Sequence, residues 1–285
     1  MNKIWTIGAV LTWTQQFFQQ KGKETPRLDA EILLAHVLHK ERIYLYAHYD
    51  EPLNAEELAQ YRQYIQQRAG GYSVAHIVGK KAFMGLDFFV SQDVLIPRPE
   101  TELLVEYVLA HMGMEDSLHI LDIGTGSGAI LLSLLYYLPK ATGVGVDISS
   151  AALVVAKKNA LQLGVDKRVT WQQRDLCTAM PAQMFSIIVS NPPYLTAEDM
   201  KHLSPEVQYD PAGALFGGTD GLDFYRRLAI ETPAYLNASG LCIVEIGKGQ
   251  EKAVRQLFEW SQEYVLIEVI KDYSDISRHM VFRKE

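Results

Sequence analysis

From residue 118 onward the chain alternates between two hydrophobic patterns. Short apolar runs rich in β-branched residues, bounded by turn residues, read as buried strands over residues 118–123, 142–146, 168–173, 185–190, 241–246, 264–270 and 279–283. Between them lie helical segments: about 127–138, from a cap at Ser149 or Ser150 to Gly164, 220–236, and 248–261. Repeated strand–helix units predict a parallel sheet covered by helices on both faces. The last two strands leave no room for a crossover helix, so one of them must run antiparallel. Seven strands with such a tail fit a Rossmann-like α/β sheet of the methyltransferase type better than a six-stranded, all-parallel dinucleotide fold.

The first 75 residues carry a different period. Ile4, Ile7 and Leu11, then Ala30, Leu33, Leu34 and Val37, form helical stripes, and Asn54 with Glu57 makes a capping-box pattern before a helix that reaches Gly70-Gly71. Residues 1–75 therefore read as a small helical-bundle domain for substrate recognition, since they hold no catalytic constellation. Residues 76–96 read as a β-hairpin linker turning at Gly85-Leu86, and residues 97–285 as the catalytic domain. At that seam, Pro97-Arg98-Pro99-Glu100-Thr101-Glu102 is an extended segment with a helix starting at Glu100 or Thr101. Arg98 and Glu100 fit either a solvated ion pair or an active-site rim.

Composition narrows the class. A chain of 285 residues with nearly half hydrophobic residues suits a soluble globular protein. The net charge of −7 and the lack of a basic block disfavour direct nucleic-acid binding. Cys177 and Cys242 are the only cysteines, which fits the reducing cytoplasm. No run approaches the roughly 18 apolar residues of a membrane span, and the start lacks the core and cleavage site of a secretory signal. His36 and His39 have no carboxylate or cysteine partner in register, so no metal site is expected.

Two stretches carry chemistry. The first, Asp122-Ile123-Gly124-Thr125-Gly126-Ser127-Gly128-Ala129, joins a strand to a helix. Its glycines permit a tight turn and a close ligand approach, and the helix start offers free N–H groups. Asp147, ending the next strand, suits both hydroxyls of a ribose. Asp122 suits a cationic amino group, which S-adenosylmethionine has and a nicotinamide dinucleotide lacks. Asp175 and Leu176, after the third strand, suit the amine and the face of an adenine, though Asp175 fits a turn cap equally well. Asn159, within a helix, reads as locally structural. Taken alone, the loop serves a nicotinamide or flavin oxidoreductase almost as well, because Gly124, Gly126 and Ala129 also satisfy G-x-G-x-x-A.

The second stretch is Asn191-Pro192-Pro193-Tyr194, immediately after the 185–190 strand. Two prolines stop the strand and leave Asn191 at its carboxyl end, the rim where open α/β sheets bind ligands. The Asn191 amide oxygen and the carbonyls at Pro192 and Pro193, beside the Tyr194 ring, suit a planar group bearing NH2: a carboxamide or an exocyclic base amine.

Together these residues resemble the HemK family, the peptide-chain release factor glutamine N5-methyltransferases. The resemblance covers nearly the whole chain. It rests on Arg27-Leu28-Asp29-Ala30-Glu31, on 97–102, on 122–128, on Asn191 to Tyr194, and on Gly217-Gly218-Thr219-Asp220-Gly221-Leu222. It implies methyl transfer from S-adenosyl-L-methionine to the glutamine amide of the Gly-Gly-Gln motif in class 1 release factors, modulating translation termination. By the same resemblance, Asp122, Gly124 to Gly128, Asp147, Asp175, Leu176 and Asn191 would hold the cofactor, and Asn191, Pro192, Pro193 and Tyr194 the glutamine. Some members carry an aromatic residue where this chain has Leu176. A ribosomal-protein glutamine methyltransferase and an adenine-N6 DNA methyltransferase share the corner chemistry. A nicotinamide oxidoreductase leaves that corner unexplained, and a non-catalytic binding module leaves both stretches unexplained.

Overall fold

The Thr6 hydroxyl accepts the Ala9 N–H and so begins α1 (Ile7–Gln20) in the computed structural model, which describes residues 4–285. The first three residues of the expected helical stretch lie outside the described residues. Helices α2 (Pro26–Leu38), α3 (Arg42–Ala47), α4 (Ala55–Ala69) and α5 (Val74–Val78) follow within a unit that runs to Gly79. The Asn54–Glu57 capping box forms in both directions at the start of α4. Leu11, Phe18, Leu33, Leu34 and Tyr61 fill this unit's core. The charged positions of 27–31 are part of its scaffold: Asp29 meets Arg68 at 2.6 Å with both side chains buried. Glu31, also buried, takes Arg27, Arg42 and the Tyr46 hydroxyl. Each buried carboxylate thus has a cation beside it, as burial demands.

The second unit comprises residues 80–285. It opens with a hairpin, β1 (Lys80–Phe83) and β2 (Leu86–Phe89). The turn is Met84-Gly85, one residue earlier than expected; both have positive φ, the handedness that two-residue hairpins favour. Helix α6 (Pro99–His111) has Arg98 as its N-cap and Pro99 in its first turn, where a missing N–H costs nothing. The sheet and its helices follow as β3 (His119–Ile123), α7 (Ala129–Tyr137), β4 (Thr142–Asp147), α8 (Ser150–Leu163), β5 (Val169–Gln173), β6 (Phe185–Ser190), α9 (Asp223–Glu231), β7 (Leu236–Glu245), α10 (Glu251–Trp260), β8 (Tyr264–Lys271) and β9 (Ser277–Lys284).

The seven strands stand in the order β5-β4-β3-β6-β7-β9-β8. All pairings are parallel except those of β9, which runs antiparallel to both neighbours. Alternate side chains serve opposite faces, Ile187 and Val189 entering one core cluster and Ile188 the other; Phe185 joins Ile188 because the β6–β7 register shifts between Phe185 and Ile187. Three helices are shorter than their periodicity suggests. Gly128, Gly221 and Gly249 take left-handed φ ahead of α7, α9 and α10, and Pro233 ends the regular turns after α9, leaving a short 3-10 turn over Thr232–Tyr235.

Candidate active site

Strands β3 and β6 are adjacent, parallel and in register, with Ile123 opposite Ser190. The Ser190 hydroxyl donates to the Ile123 carbonyl at 2.7 Å. The next residues on the two strands are Gly124 and Asn191, so the glycine turn and the double-proline corner leave the sheet side by side. They open onto one cavity of about 880 Å3, a volume typical of small-molecule sites.

The loop is held from below. Gly124 and Thr125 donate backbone N–H groups to the Val146 carbonyl at 2.8 and 3.0 Å. Gly126 N–H donates to Asp147 Oδ2, and Ser149 N–H to Asp147 Oδ1, both at 2.9 Å. Burial raises the Asp147 carboxyl above its ordinary range, and the Ser149 and Gly126 N–H groups oppose that rise. Each Asp147 oxygen keeps a further acceptor site. Gly124 and Gly126 have φ of +73° and +54°, and a Cβ on either would meet nothing within 4 Å. Gly124, Thr125, Gly126, Ser127, Asp147, Asp175, Leu176, Asn191, Pro192 and Pro193 all line the cavity.

Three expected residues stand elsewhere. Asp122 is 1% exposed and lies under the loop, where Thr125 Oγ1 donates to its Oδ2 at 2.6 Å. Among the described residues, its Oδ1 is buried with no hydrogen-bond partner. Burial pushes its carboxyl up to about 7. Gly128 faces inward: a Cβ there would come within 2.8 Å of Leu132, so it serves the close packing of α7. Tyr194 does not line the cavity; its ring packs on the core behind the corner with Leu222 and Phe224, and burial pushes its hydroxyl up to about 12. An aromatic ring buries more apolar area there than at an open rim.

Contacts distant in sequence complete the site. Gly217 and Gly221 lie against the corner, where a Cβ would fall 2.6 Å from the Pro193 carbonyl and 2.4 Å from that of Tyr194. This explains the 217–222 stretch: side chains there would push the corner away. Arg98 pairs with buried Asp210 at 2.6 Å rather than with Glu100, and it lines the cavity. Asp175 accepts from Arg227 at 2.7 Å. Asn159 is fully buried and far from local in effect. Its Oδ1 accepts the Phe89 N–H at 2.8 Å, while Nδ2 donates to the carbonyls of Phe89 at 3.0 Å and Ser127 at 2.8 Å, tying the hairpin to the glycine turn. Ile148, 67% exposed at the cavity wall, was visible in sequence only as an apolar residue after a strand-ending acid.

Comparison with known proteins fits this geometry. Residues 9–79 match the PrmC N-terminal domain and residues 99–206 the methyltransferase small domain. The release factor glutamine methyltransferase of Geobacter sulfurreducens is 44% identical over 257 residues, 90% of this chain and 89% of its own. The chain belongs to the release factor glutamine methyltransferase family. A second member, from Rhodopirellula baltica, is 38% identical across 98% of this chain and 97% of its own. The family's fold extends to more distant methyltransferases: one from Pyrococcus furiosus has a TM-score of 0.52 at 18% identity, covering 72% of this chain and 91% of its own. Among the described residues no helix is long and apolar enough to cross a membrane, and no group of His, Cys, Asp and Glu is arranged to hold a metal.

Proposed function

We propose that this protein methylates N5 of the glutamine in the Gly-Gly-Gln motif of class 1 peptide-chain release factors, using S-adenosyl-L-methionine in the cytoplasm. One observation carries the reading: Ile123 pairs with Ser190, so the glycine turn and the Asn-Pro-Pro corner share a rim and a cavity. The residues suit the donor. Gly124 and Gly126 leave open space for its close approach. Asp147 offers acceptors for ribose hydroxyls, Ile148 and Leu176 apolar surface for a purine, and Asp175 a carboxylate for its amine. Asp122 acts from beneath, by holding Thr125.

Bound there, S-adenosylmethionine supplies a methyl group activated by its sulfonium. The acceptor is the harder partner, because a carboxamide nitrogen shares its lone pair with the carbonyl. The task of this chain is therefore positioning. Asn191 Oδ1 and the Pro192 carbonyl accept the two amide hydrogens, which turns the π face of the nitrogen toward the donor. Neither proline offers an N–H to compete. The methylated nitrogen sheds its extra proton to water, so no strong base is needed. Tyr194 stiffens the corner from behind, and the helical residues 4–79 recognise the protein substrate.

The test is mass spectrometry of purified release factor after incubation with this protein and S-adenosylmethionine. One added methyl on the tripeptide glutamine is expected. An unmodified peptide, or methylation of ribosomal protein or DNA instead, would overturn the assignment.

A further inference from the structure

We infer that Thr101 and Glu245 fix which way the Asn191 amide faces, and so select a carboxamide over a carboxylate as acceptor. The inference rests on the glutamine reading above. Asn191 Nδ2 donates to Thr101 Oγ1 at 3.3 Å, and Thr101 Oγ1 donates to Glu245 Oε2 at 2.6 Å. Thr101 is 4% exposed and Glu245 3%, so water does not substitute for these partners.

The direction of this line follows from proton counting. A hydroxyl has one hydrogen, and an ionised carboxylate only accepts. The Thr101 hydrogen is committed to Glu245, so toward Asn191 the hydroxyl presents lone pairs alone. The Asn191 NH2 must face Thr101, and Oδ1 is left for the ligand. The reversed amide would set its oxygen against the lone pairs of Thr101 Oγ1 and leave that buried hydroxyl without its donor from Asn191. Glu245 is itself held on β7 opposite His279, whose Nε2 stands 3.4 Å from the same carboxylate oxygen.

The substrate consequence is a polarity filter. An acceptor at Oδ1 attracts the NH2 of glutamine and repels the carboxylate of glutamate, although the two have nearly the same shape. Sites built to pair with a substrate N–H reject analogues lacking it far more strongly than sites built on shape. Thr101, which also lines the cavity, and Glu245, which does not, are positioning residues: they orient the Asn191 amide.

The experiment uses the full chain, S-adenosylmethionine, and release factor carrying either glutamine or glutamate at the acceptor position. Thr101→Val removes the hydroxyl at constant shape, Thr101→Ser restores it, and Glu245→Gln keeps the shape while allowing either end of an amide to face Thr101. Thr101→Val is expected to lower kcat about tenfold or more, the worth of a misdirected hydrogen bond. KM for release factor should stay within about twofold. In binding, its preference for the glutamine over the glutamate form should fall by a similar factor. Thr101→Ser should recover both, and Glu245→Gln should lie between. Should Thr101→Val unfold, the Glu245→Gln discrimination ratio decides. Wild-type kcat and discrimination in both Thr101→Val and Glu245→Gln would overturn the inference. A wild-type protein that leaves release factor unmethylated would instead remove the reading beneath it.

Discussion

Asn159 is the position where one side chain holds two parts of the catalytic unit together. Replacing it with alanine removes all three of its hydrogen bonds. Each contributes about 1 kcal/mol net, and the buried Ser127 carbonyl left without a donor costs about 1–3 kcal/mol more. The expected loss of stability is therefore roughly 4–6 kcal/mol, with weaker S-adenosylmethionine binding because the turn loses its anchor. Asn159→Asp is the sharper probe. It keeps an acceptor for the Phe89 N–H but faces two carbonyl oxygens with a carboxylate. The folded state then favours the protonated form, so the folded pKa rises above the unfolded value of about 3.9. A carboxyl raised in this way loses stability as pH climbs from its unfolded toward its folded pKa. Urea unfolding at pH 4.5 and pH 8 should show the aspartate variant losing stability relative to wild type as pH rises, while the alanine deficit stays constant. A deficit below about 1 kcal/mol for alanine, or parallel pH curves for aspartate and wild type, would refute the account of this residue.

Three further outcomes follow from the site. Asp122, with its carboxyl pushed up to about 7, holds a proton in the folded protein that the unfolded chain releases from about pH 4 upward; Asp122→Asn should gain a few kcal/mol relative to wild type between pH 4 and 7, and matched urea midpoints across that range would disprove it. Gly126→Ala puts a methyl into the open side of the turn at φ +54°; calorimetry should find S-adenosylmethionine affinity reduced at least tenfold for a stability loss of only about 1–2 kcal/mol, and unchanged affinity would contradict the role of the turn. Asn191→Ala should abolish turnover while S-adenosylmethionine affinity stays within about threefold, and single-turnover methylation at the wild-type rate would remove Asn191 from the chemistry.

Much of the catalytic unit is legible locally. Strand β6 matches its sequence reading to the residue, because an apolar β-branched run meets a double proline that cannot extend it. Ser149 caps α8, and Asn54 with Glu57 caps α4, because a short polar side chain beside a helical stripe has one favourable use. The reading falters where the deciding partner is distant. Nothing near Asn159 reports Phe89, 70 positions away, and nothing near Arg98 reports Asp210, 112 positions away. The early start of β7 is hidden because Asn237, Ala238 and Ser239 are exposed and small or polar, so that stretch reads as a loop. The chemistry of Tyr194 and Asp122 suits the ligand, but burial, which a single sequence does not display, places both behind the surface they support.

The line from Asn191 through Thr101 to Glu245 joins residues 90 and 144 positions apart. Contacts of such long range carry a large loop-closure cost. A nascent chain that has emerged only as far as Tyr235 already contains the glycine turn and the Asn-Pro-Pro-Tyr tetrapeptide, yet it lacks the carboxylate that gives the asparagine its direction. The asparagine therefore gains its direction only once β7 has been made, and a truncated product that keeps both motifs carries it undirected.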